Sequence, residues 1–281
     1  MCSGQDGVRR VADLIESAEP DAGRIMLPVE RGGVPLIEVA VPGPFGLLLT
    51  TRLGGASGRG YADLNLSYWV GDDSKVVDRN HTILARSLDL LPDSVVLPRQ
   101  VHGVEVLELD ECRRRGERVP CDGLVVRARR DRGLAALMLS GDCLTVVLVG
   151  QETCALVHAG WRGLVNGIVQ RGVEAMGEDL PQWAFFGPAI GPCCYQVGED
   201  TANTVATLFG TEVLAIPEGR AEAVSLDLWK CATVALGKAG VPRTAVVNPA
   251  LCTSCHRDVL YSHRADGPAT GRHTAVLWVS G

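Results

Sequence analysis

The sequence lacks the features that mark membrane and secreted proteins. No apolar run approaches the roughly 18 residues that a membrane span requires. The opening residues MCSGQDGVRR contain no apolar core of the kind found in a secretory signal. Internal repeats, heptads and low-complexity segments are also missing. We therefore expect a globular, cytoplasmic protein with no membrane partner.

Excess positive charge is missing too, and aromatic side chains are few. The formal net charge is −6, and aromatic residues make up 5% of the 281 residues. Nucleic-acid-binding surfaces are usually basic and place aromatic side chains where bases stack. One local group of arginines, which has no interleaved aromatics, is interpreted as a solvated loop; it comprises residues 113, 114, 115, 118, 127, 129, 130 and 132. We expect no nucleic-acid partner.

Cysteine, by contrast, is abundant. The chain contains ten cysteines, an even number that raises the possibility of a disulfide framework. Such frameworks are typical of short secreted chains, and this sequence is neither short nor visibly exported. Cys143 and Cys154 also lie within apolar, strand-like runs. Most of the cysteines are therefore interpreted as reduced, buried, small hydrophobic residues.

The apolar pattern predicts an α/β fold with mixed sheets of the α+β type. Near-continuous apolar runs follow one another between residues 122 and 160, as is typical of strands covered on both faces. Helices are expected over 75–90, from just after Gly163 to about Met176, and near 199–208 and 222–239. The segment 111–121 reads as a charged loop. Without a convincing linker, residues 31–281 are expected to form one domain of layered sheets flanked by helices, after an irregular arm over 1–30.

Three potential metal ligands stand where buried strands are expected to break off. They are His102, Cys143 and His158, separated by 41 and 15 residues. Three such ligands with an open fourth position suit a catalytic zinc ion. Three other readings remain open: hydrogen-bonded core histidines with a buried thiol, a structural zinc that only ties strands together, and a Cys143 thiolate nucleophile with His158 as its base.

The stretch from His158 to Gly163 also predicts an anion site. A strand ends there, a glycine turn follows and a helix begins, so that helix-start amides face outward. Arg162 adds a fork of donors that suits phosphate. The simpler interpretation is a tight strand–helix turn with Trp161 packed in the core.

A CxxC pair followed by histidine is formed by Cys252, Cys255 and His256. A structural zinc would need a fourth ligand nearby, and His263 is the one candidate in the local sequence. Haem attachment would require export. A turn with two thiols is the preferred interpretation.

Several motifs occur in an order that resembles one protein family. They are TRLGGASGRGYADLNL, RQVHG, DGLVV, GDC, VHAGWRG, GPAIGPCCYQVG, LCT and YSHRADGPATGRHTAV. The set resembles the YfiH family, also called the laccase-domain or multicopper polyphenol oxidase family, from about residue 45 to the end of the chain. HAGWRG and GPAIGPCCY are its most specific parts.

This resemblance implies a zinc-dependent enzyme of purine nucleosides. Family members are associated with phosphorolysis of adenosine, inosine, guanosine and methylthioadenosine, and with adenosine deamination. The family's His, Cys and His metal set falls on His102, Cys143 and His158. The implied partners are purine nucleosides and phosphate, and we expect a monomer or a small homo-oligomer.

The resemblance also keeps alternatives open. The fold resembles the cysteine-hydrolase domain of the cytotoxic necrotizing factor toxins, and some relatives are linked to peptidoglycan-precursor editing. Both are consistent with a metal-independent hydrolase that uses Cys143 and His158. A copper-dependent polyphenol oxidase is disfavoured, because a type-1 copper with a trinuclear cluster needs more imidazoles than six scattered histidines provide. Copper can still compete with zinc for the His-Cys-His set.

Departures from the family pattern fall close to the expected pocket. Members often read TADCVP where this chain reads SGDCLT at 140–145, CYEV where it reads CYQV at 194–197, and Asn-Arg where it reads Asn80-His81. Asp142 is a candidate acid/base or orienting carboxylate beside Cys143. The candidates for substrate contact are Arg52, Ser57, Arg162 and Arg264.

Overall fold

Two six-stranded sheets organise the computed structural model, which describes residues 4–116, 119–217 and 223–280. The strands are β1 Met26–Arg31, β2 Val34–Val39, β3 Phe45–Thr50, β4 Val95–Val96, β5 Val106–Glu108, β6 Gly123–Arg127, β7 Ala135–Ser140, β8 Leu144–Val149, β9 Thr153–Ala159, β10 Trp183–Phe186, β11 Leu214–Ala215, β12 Ser225–Leu226, β13 Val246–Val247 and β14 His273–Val279. The helices are α1 Gly4–Glu16, α2 Pro20–Gly23, α3 Ser74–Ser87, α4 Leu109–Arg115, α5 Trp161–Val165, α6 Ile168–Met176, α7 Glu199–Phe209, α8 Leu228–Lys238 and α9 His263–Asp266. Within the described residues, every helix is too short or too polar to cross a bilayer.

Both large sheets are mixed in strand direction. The first has the order β1-β2-β3-β14-β7-β4 and the second β13-β10-β8-β9-β6-β5, and β11 and β12 form a separate short pair. Most neighbours are antiparallel, whereas β4 with β7, β5 with β6, and β10 with β13 are parallel. The predicted mixed α/β fold is therefore confirmed.

The continuous apolar strands are explained by burial on both faces. In β8, Val147 and Val149 belong to the core between the sheets, while Val146 and Leu148 belong to the core shared with α6 and α8. Strand side chains alternate between faces, so a strand between two cores must be apolar at every position. The outer face of the first sheet packs against α3, where Leu84 is fully buried.

The expectation of an irregular arm over residues 1–30 is corrected. Residues from Gly4 onward form α1 and α2, and β1 pairs with β2 along its whole length. Val11, Leu14 and Ile15 are buried in the core between the sheets. Their spacing of three and four residues marks one helical face, which the polar residues around them conceal.

Three other segments also differ from the sequence prediction. The expected charged loop over 111–121 contains the end of α4. The expected single helix ending at Met176 is split into α5 and α6, because Gly167 adopts a left-handed φ of 89° between them. The helix expected over 222–239 begins at Leu228 behind an Asp227 cap, and residue 222 lies outside the described residues.

Several members of the arginine group form ion pairs, and the group spans α4 and β6 rather than one loop. Arg127 and Arg130 both contact Glu108, each at 2.7 Å. Arg114 pairs with Asp110 on α4, and Arg129 pairs with Glu152. Arg118 lies outside the described residues. Local pairing with nearby carboxylates accounts for Arg114, Arg127, Arg129 and Arg130.

The long glycine-rich segment between β3 and α3 is fastened by one buried side chain. Asn80 of α3 is fully buried and accepts a hydrogen bond from the Ala56 amide at 2.8 Å. Its amide group donates to the Ser57 hydroxyl at 2.9 Å and to the Asn65 carbonyl at 2.8 Å. A buried polar group that lacks a hydrogen-bond partner destabilises the folded state. The hydrogen bonds of Asn80 therefore stabilise the conformation of the glycine-rich segment.

We predict that Asn80→Ala destabilises the protein. The substitution leaves several buried groups without partners, so the free energy of unfolding should fall by roughly 3 kcal/mol. Urea denaturation followed by circular dichroism measures this change. Asn203→Ala on α7 is the matched control, since Asn203 is exposed, and it should change stability by less than about 0.5 kcal/mol. Equal effects of both substitutions would contradict the structural role of Asn80.

Candidate metal and substrate site

A cavity of about 720 Å³ lies beside the β7–β8 turn and the end of β9. The turn contributes Asp142 and Cys143, and β9 contributes His158. The end of the glycine-rich segment contributes Trp69 to the lining. The register of β8 and β9 pairs Leu144 with Ala159, which brings the turn against the residues that follow β9. Segments far apart in sequence therefore meet at one opening.

The three predicted ligands come together in this cavity. The side-chain ligand atoms of His102, Cys143 and His158 all lie within 4.8 Å of one another. The Cys143 Sγ is 3.8 Å from the His102 Nε2, and the two imidazole rings meet edge to face with centroids 4.9 Å apart. His158 is buried, whereas His102 is exposed at the cavity.

The tautomer of His158 is fixed by a buried carboxylate. The His158 Nδ1 lies 2.9 Å from the Asp122 Oδ1, and Asp122 is fully buried. Because an ionised carboxylate only accepts, the Nδ1 carries a proton, and the Nε2 is the ring nitrogen left to bind a metal ion once it has lost its own proton. A histidine that donates one ring nitrogen to a carboxylate and offers the other to an ion is a recurrent metal-site arrangement.

Asp122 also shapes the turn that carries His102. Its carboxylate accepts the backbone amides of Val101 at 3.2 Å, His102 at 2.9 Å and Gly103 at 2.7 Å. His102 adopts a φ of 60°, a conformation that is uncommon for residues other than glycine. Sequence reasoning missed Asp122, although it opens the DGLVV motif at the start of a buried strand.

The electrostatics of the site favour a thiolate beside an imidazolium when no ion is bound. Burial raises the pKa of Cys143, but the His158 charge and hydrogen bonds from both histidines outweigh it and lower that pKa to about 6. Burial lowers the pKa of His158, but the Cys143 thiolate and Asp122 raise it to about 9. A thiolate is the form in which cysteine binds a metal or acts as a nucleophile.

Gly160 allows the ligands to approach the chain closely. A Cβ at this position would lie 3.0 Å from the Cys143 Sγ and 3.3 Å from the His102 Cδ2. A side chain at this position would require both Cys143 and His102 to shift by a few tenths of an ångström. The glycine that the sequence shows before Trp161 therefore suits the close approach of these two side chains.

Asp142 lines the cavity, and both of its carboxylate oxygens are engaged. The Oδ1 accepts the Thr253 hydroxyl at 2.6 Å, and the Oδ2 accepts the Arg264 backbone amide at 2.6 Å. Its backbone carbonyl accepts the Ile190 amide at 2.9 Å. These contacts favour the orienting role among the two roles considered for Asp142.

Guanidinium groups give the cavity a cationic wall. Arg162 lies over the Trp161 ring at 4.5 Å, and Arg264 lies over the Tyr195 ring at 5.0 Å. Arg272 lines the same cavity, with its stem packed on Gly141, where a Cβ would come within 2.8 Å of the Arg272 Cδ. Sequence reasoning identified Arg162 and Arg264 and missed Arg272.

Arg52 and Ser57 lie outside the residues that line this cavity. Arg52 lies over Tyr261, donates to the Ala62 carbonyl at 3.0 Å and pairs with Asp266. The Ser57 hydroxyl donates to Asp72 at 2.7 Å. Both side chains hold the glycine-rich segment in place, and their contact with substrate stays a prediction.

The residues of the site fit a single zinc ion. With usual Zn–S and Zn–N bonds, a tetrahedral ion keeps such ligand atoms about 3.6 Å apart. The 3.8 Å between Cys143 Sγ and His102 Nε2 is close to that separation. All six histidines lie in the described part of the chain, and the three that line the cavity are His102, His158 and His263. A cluster of several copper ions does not fit this set.

Comparison with known proteins places the chain among recognised relatives. Residues 46–280 match the family described as multi-copper polyphenol oxidoreductase laccase. A purine nucleoside phosphorylase of Streptomyces coelicolor, SCO2081, is 36% identical over 237 residues, covering 82% of this chain and 93% of that protein. The purine nucleoside phosphorylase PA4543 of Pseudomonas aeruginosa is 32% identical over 241 residues, covering 82% and 92%.

Solved structures agree with these sequence matches. YlmD from Geobacillus stearothermophilus superposes with a TM-score of 0.80 at 29% identity, covering 92% of this chain and 99% of that one. Protein NMB0706 from Neisseria meningitidis has a TM-score of 0.76 at 30% identity, covering 88% and 99%. YfiH from Bacillus licheniformis has a TM-score of 0.77 at 25% identity. The chain therefore belongs to the YfiH family of laccase-domain proteins.

Proposed function

We propose that this protein is a zinc-dependent purine nucleoside phosphorylase that takes adenosine, inosine, guanosine and methylthioadenosine, with adenosine deamination as a second activity. The observation that carries the proposal is the meeting of His102, Cys143 and His158 in a cavity with a cationic wall. The printed names of the relatives, purine nucleoside phosphorylase, support the substrate class. The reaction breaks the sugar–base C–N bond and forms a C–O bond to phosphate.

His102, Cys143 and His158 would hold the ion, and Asp122 orients two of them. The chemistry that zinc supplies in such a site is Lewis-acid polarisation of an oxygen. Asp122 keeps the proton of His158 on Nδ1 and holds the His102 turn by three backbone amides. The protein thereby presents its ligand atoms before binding, which limits the cost of organising the site.

Arg162, Arg264 and Arg272 would bind phosphate and the oxygens of the sugar. Guanidinium groups bind phosphate through paired charge-assisted hydrogen bonds. The amides at the start of α5, next to Arg162, would add donors to the same anion site. Trp161 and Tyr195 stack against two of the arginines and restrict their orientations. Copper remains a competing metal because affinity alone favours it.

A metal-independent cysteine hydrolase is the second candidate. Asp122, His158 and Cys143 follow one another as orienting group, base and nucleophile do in thiol hydrolases. This reading fits peptidoglycan-precursor editing or amide hydrolysis. The hydrolase mechanism does not require His102, whereas the zinc-dependent mechanism requires it as a ligand. Substitution of His102 therefore distinguishes the two candidate functions.

We predict that the three ligands bind one zinc ion and that His102 is essential for turnover. His102→Ala should lose that zinc and reduce phosphorolysis to background, because two remaining ligands hold the ion too weakly. Elemental analysis and a coupled assay for free base measure the two effects. His256→Ala is the matched control, since His256 lies near Ser17 and away from the cavity. Loss of zinc with full turnover would favour the hydrolase.

We predict that Asp122→Asn weakens metal binding by about 10- to 100-fold, because it removes the acceptor that orients His158. Competition with a zinc chelator measures the affinity. Asp131→Asn is the matched control: Asp131 is also fully buried, but its carboxylate accepts the Arg127 amide away from the cavity. An unchanged affinity in the Asp122 variant would show that the carboxylate has no part in the metal site.

We predict that Arg162→Ala impairs phosphorolysis more than deamination. Adenosine should give adenine and ribose 1-phosphate in phosphate buffer, and at most inosine without phosphate. Losing one charge-assisted contact should lower kcat/KM for phosphate by about 10- to 150-fold. Arg171→Ala is the control, because Arg171 is exposed on α6. Equal losses of both activities would indicate that Arg162 supports the fold or the metal instead of phosphate.

A further inference from the structure

Four cysteines meet at a second place in the fold. Cys193 and Cys194 lie in the turn after β10, and Cys252 and Cys255 lie in the turn after β13. All four sulfur atoms lie within 4.8 Å of one another. The Cys255 Sγ is 3.6 Å from both the Cys193 Sγ and the Cys194 Sγ. We call this cluster the four-cysteine site.

We propose that the four-cysteine site binds one zinc ion through four thiolates, as a second metal centre separate from the His-Cys-His set. In a tetrahedral site with usual Zn–S bonds, neighbouring sulfur atoms are about 3.8 Å apart. The two separations of 3.6 Å match an edge of that tetrahedron. Four thiolates in tetrahedral array suit zinc, and the thiols release their protons to solvent on binding.

The fold itself brings the two turns together. Strands β10 and β13 are parallel neighbours, and beyond them Ala189 pairs with Cys252 in an isolated bridge. The Thr253 amide donates to the Ala189 carbonyl at 3.0 Å. Parallel strands end at the same edge of a sheet, so the turns that follow them are adjacent. Nothing in the local CxxC sequence indicates this, because its partners lie about sixty residues earlier.

A backbone amide already points at one of the sulfur atoms. The Gly191 amide donates to the Cys252 Sγ at 3.2 Å, and Cys252 is buried. An amide that donates to a cysteine sulfur stabilises its negatively charged form and is an outer-shell contact of the kind that metal–thiolate sites use. A Cβ on Gly191 would lie 3.2 Å from the Cys193 Sγ, so a glycine suits this close approach.

The exposure of two of the four thiols argues against a role in packing alone. Cys112, Cys121, Cys154 and Cys231 are buried, as small hydrophobic residues should be. Cys193 and Cys255 are exposed, which leaves an entry path for an ion. Free exposed thiols are reactive, and a bound ion protects them from oxidation.

The two histidines considered for this region are placed elsewhere. The His256 Nε2 lies 3.5 Å from the Ser17 hydroxyl near α1. His263 lines the cavity of the first site. Cys193 and Cys194, rather than a histidine, therefore complete a set of four ligands with the CxxC pair. A [4Fe–4S] cluster does not fit the spacing of the four sulfur atoms. In such a cluster each cysteine binds a different iron atom, whereas these sulfur atoms are close enough to bind one ion.

Zinc at the four-cysteine site would brace one wall of the cavity. The turn after β10 contains Ile190, whose amide donates to the Asp142 carbonyl, and Tyr195, which lines the cavity. The turn after β13 contains Thr253, which donates to the Asp142 carboxylate. An ion that joins the two turns therefore fixes the groups that hold the residue next to Cys143.

Elemental analysis of the untagged full-length chain, expressed with added zinc, tests the proposal. In the His102→Ala/Cys143→Ala variant, we expect about one zinc per chain, with only sulfur neighbours in X-ray absorption. When Cys193→Ser and Cys255→Ser are added to this variant, that zinc should be lost. Cys231→Ala added to the same variant is the matched control, and it should keep the zinc. Because the first variant lacks the first site, its zinc content tests this centre whether or not the proposed activity is correct.

A second measurement does not depend on substituting the four cysteines. Cobalt(II) alone, added to the metal-free His102→Ala/Cys143→Ala variant under reducing conditions, should give intense thiolate charge-transfer absorption at one equivalent. Zinc should then displace the cobalt and remove the absorption. The proposal would be overturned if the variant contained no zinc and gave no cobalt absorption. It would also be overturned if the site contained iron in place of zinc. Disulfides among these cysteines in protein purified under reducing conditions would overturn it as well.

Discussion

The buried carboxylate of Asp122 is the contact on which the arrangement of the first site depends. It stands immediately before β6, inside the protein, and it accepts three consecutive backbone amides and one imidazole nitrogen. A buried carboxylate without such donors would be strongly unfavourable. The chain around residues 101–103 must therefore wrap around it, and His158 must turn its Nδ1 inward. The Asp122 carboxylate thus positions both His102 and His158, which come from separate segments of the chain.

The two-sheet core determines where that carboxylate can act. Strands covered on both faces contain few polar groups, so polar chemistry is confined to the places where they end. The β7–β8 turn and the end of β9 meet at one such place, and the Leu144–Ala159 pairing sets Cys143 beside Gly160. Glycines at positions 141 and 160 let the side chains of Arg272, Cys143 and His102 approach the backbone. The apolar core and the polar cavity thus follow from the same strand register.

Much of the fold could be predicted from local patterns, and much of the site could not. The continuous apolar runs predicted β6 to β9, and the helix expected over 75–90 corresponds to α3, because these signals lie within a few residues. The motif resemblance identified His102, Cys143 and His158. Asp122 and Arg272 were missed because their roles arise from contacts across the fold. The amphipathic α1 was missed because three apolar positions are surrounded by polar residues.

Asp142 shows how the two cysteine-containing regions depend on each other. Its carboxylate oxygens accept from Thr253 and from the Arg264 amide, and these two bonds fix the orientation of the carboxylate. Its position beside Cys143 is fixed by donors that belong to the turn after β13 and to α9. The turn after β13 contains Cys252 and Cys255 of the four-cysteine site. It is connected to the first site by the hydrogen bond from the Thr253 hydroxyl to the Asp142 carboxylate. The two regions also differ in position: Cys143 lines the cavity, whereas the residues that line it do not include the cysteines of the four-cysteine site.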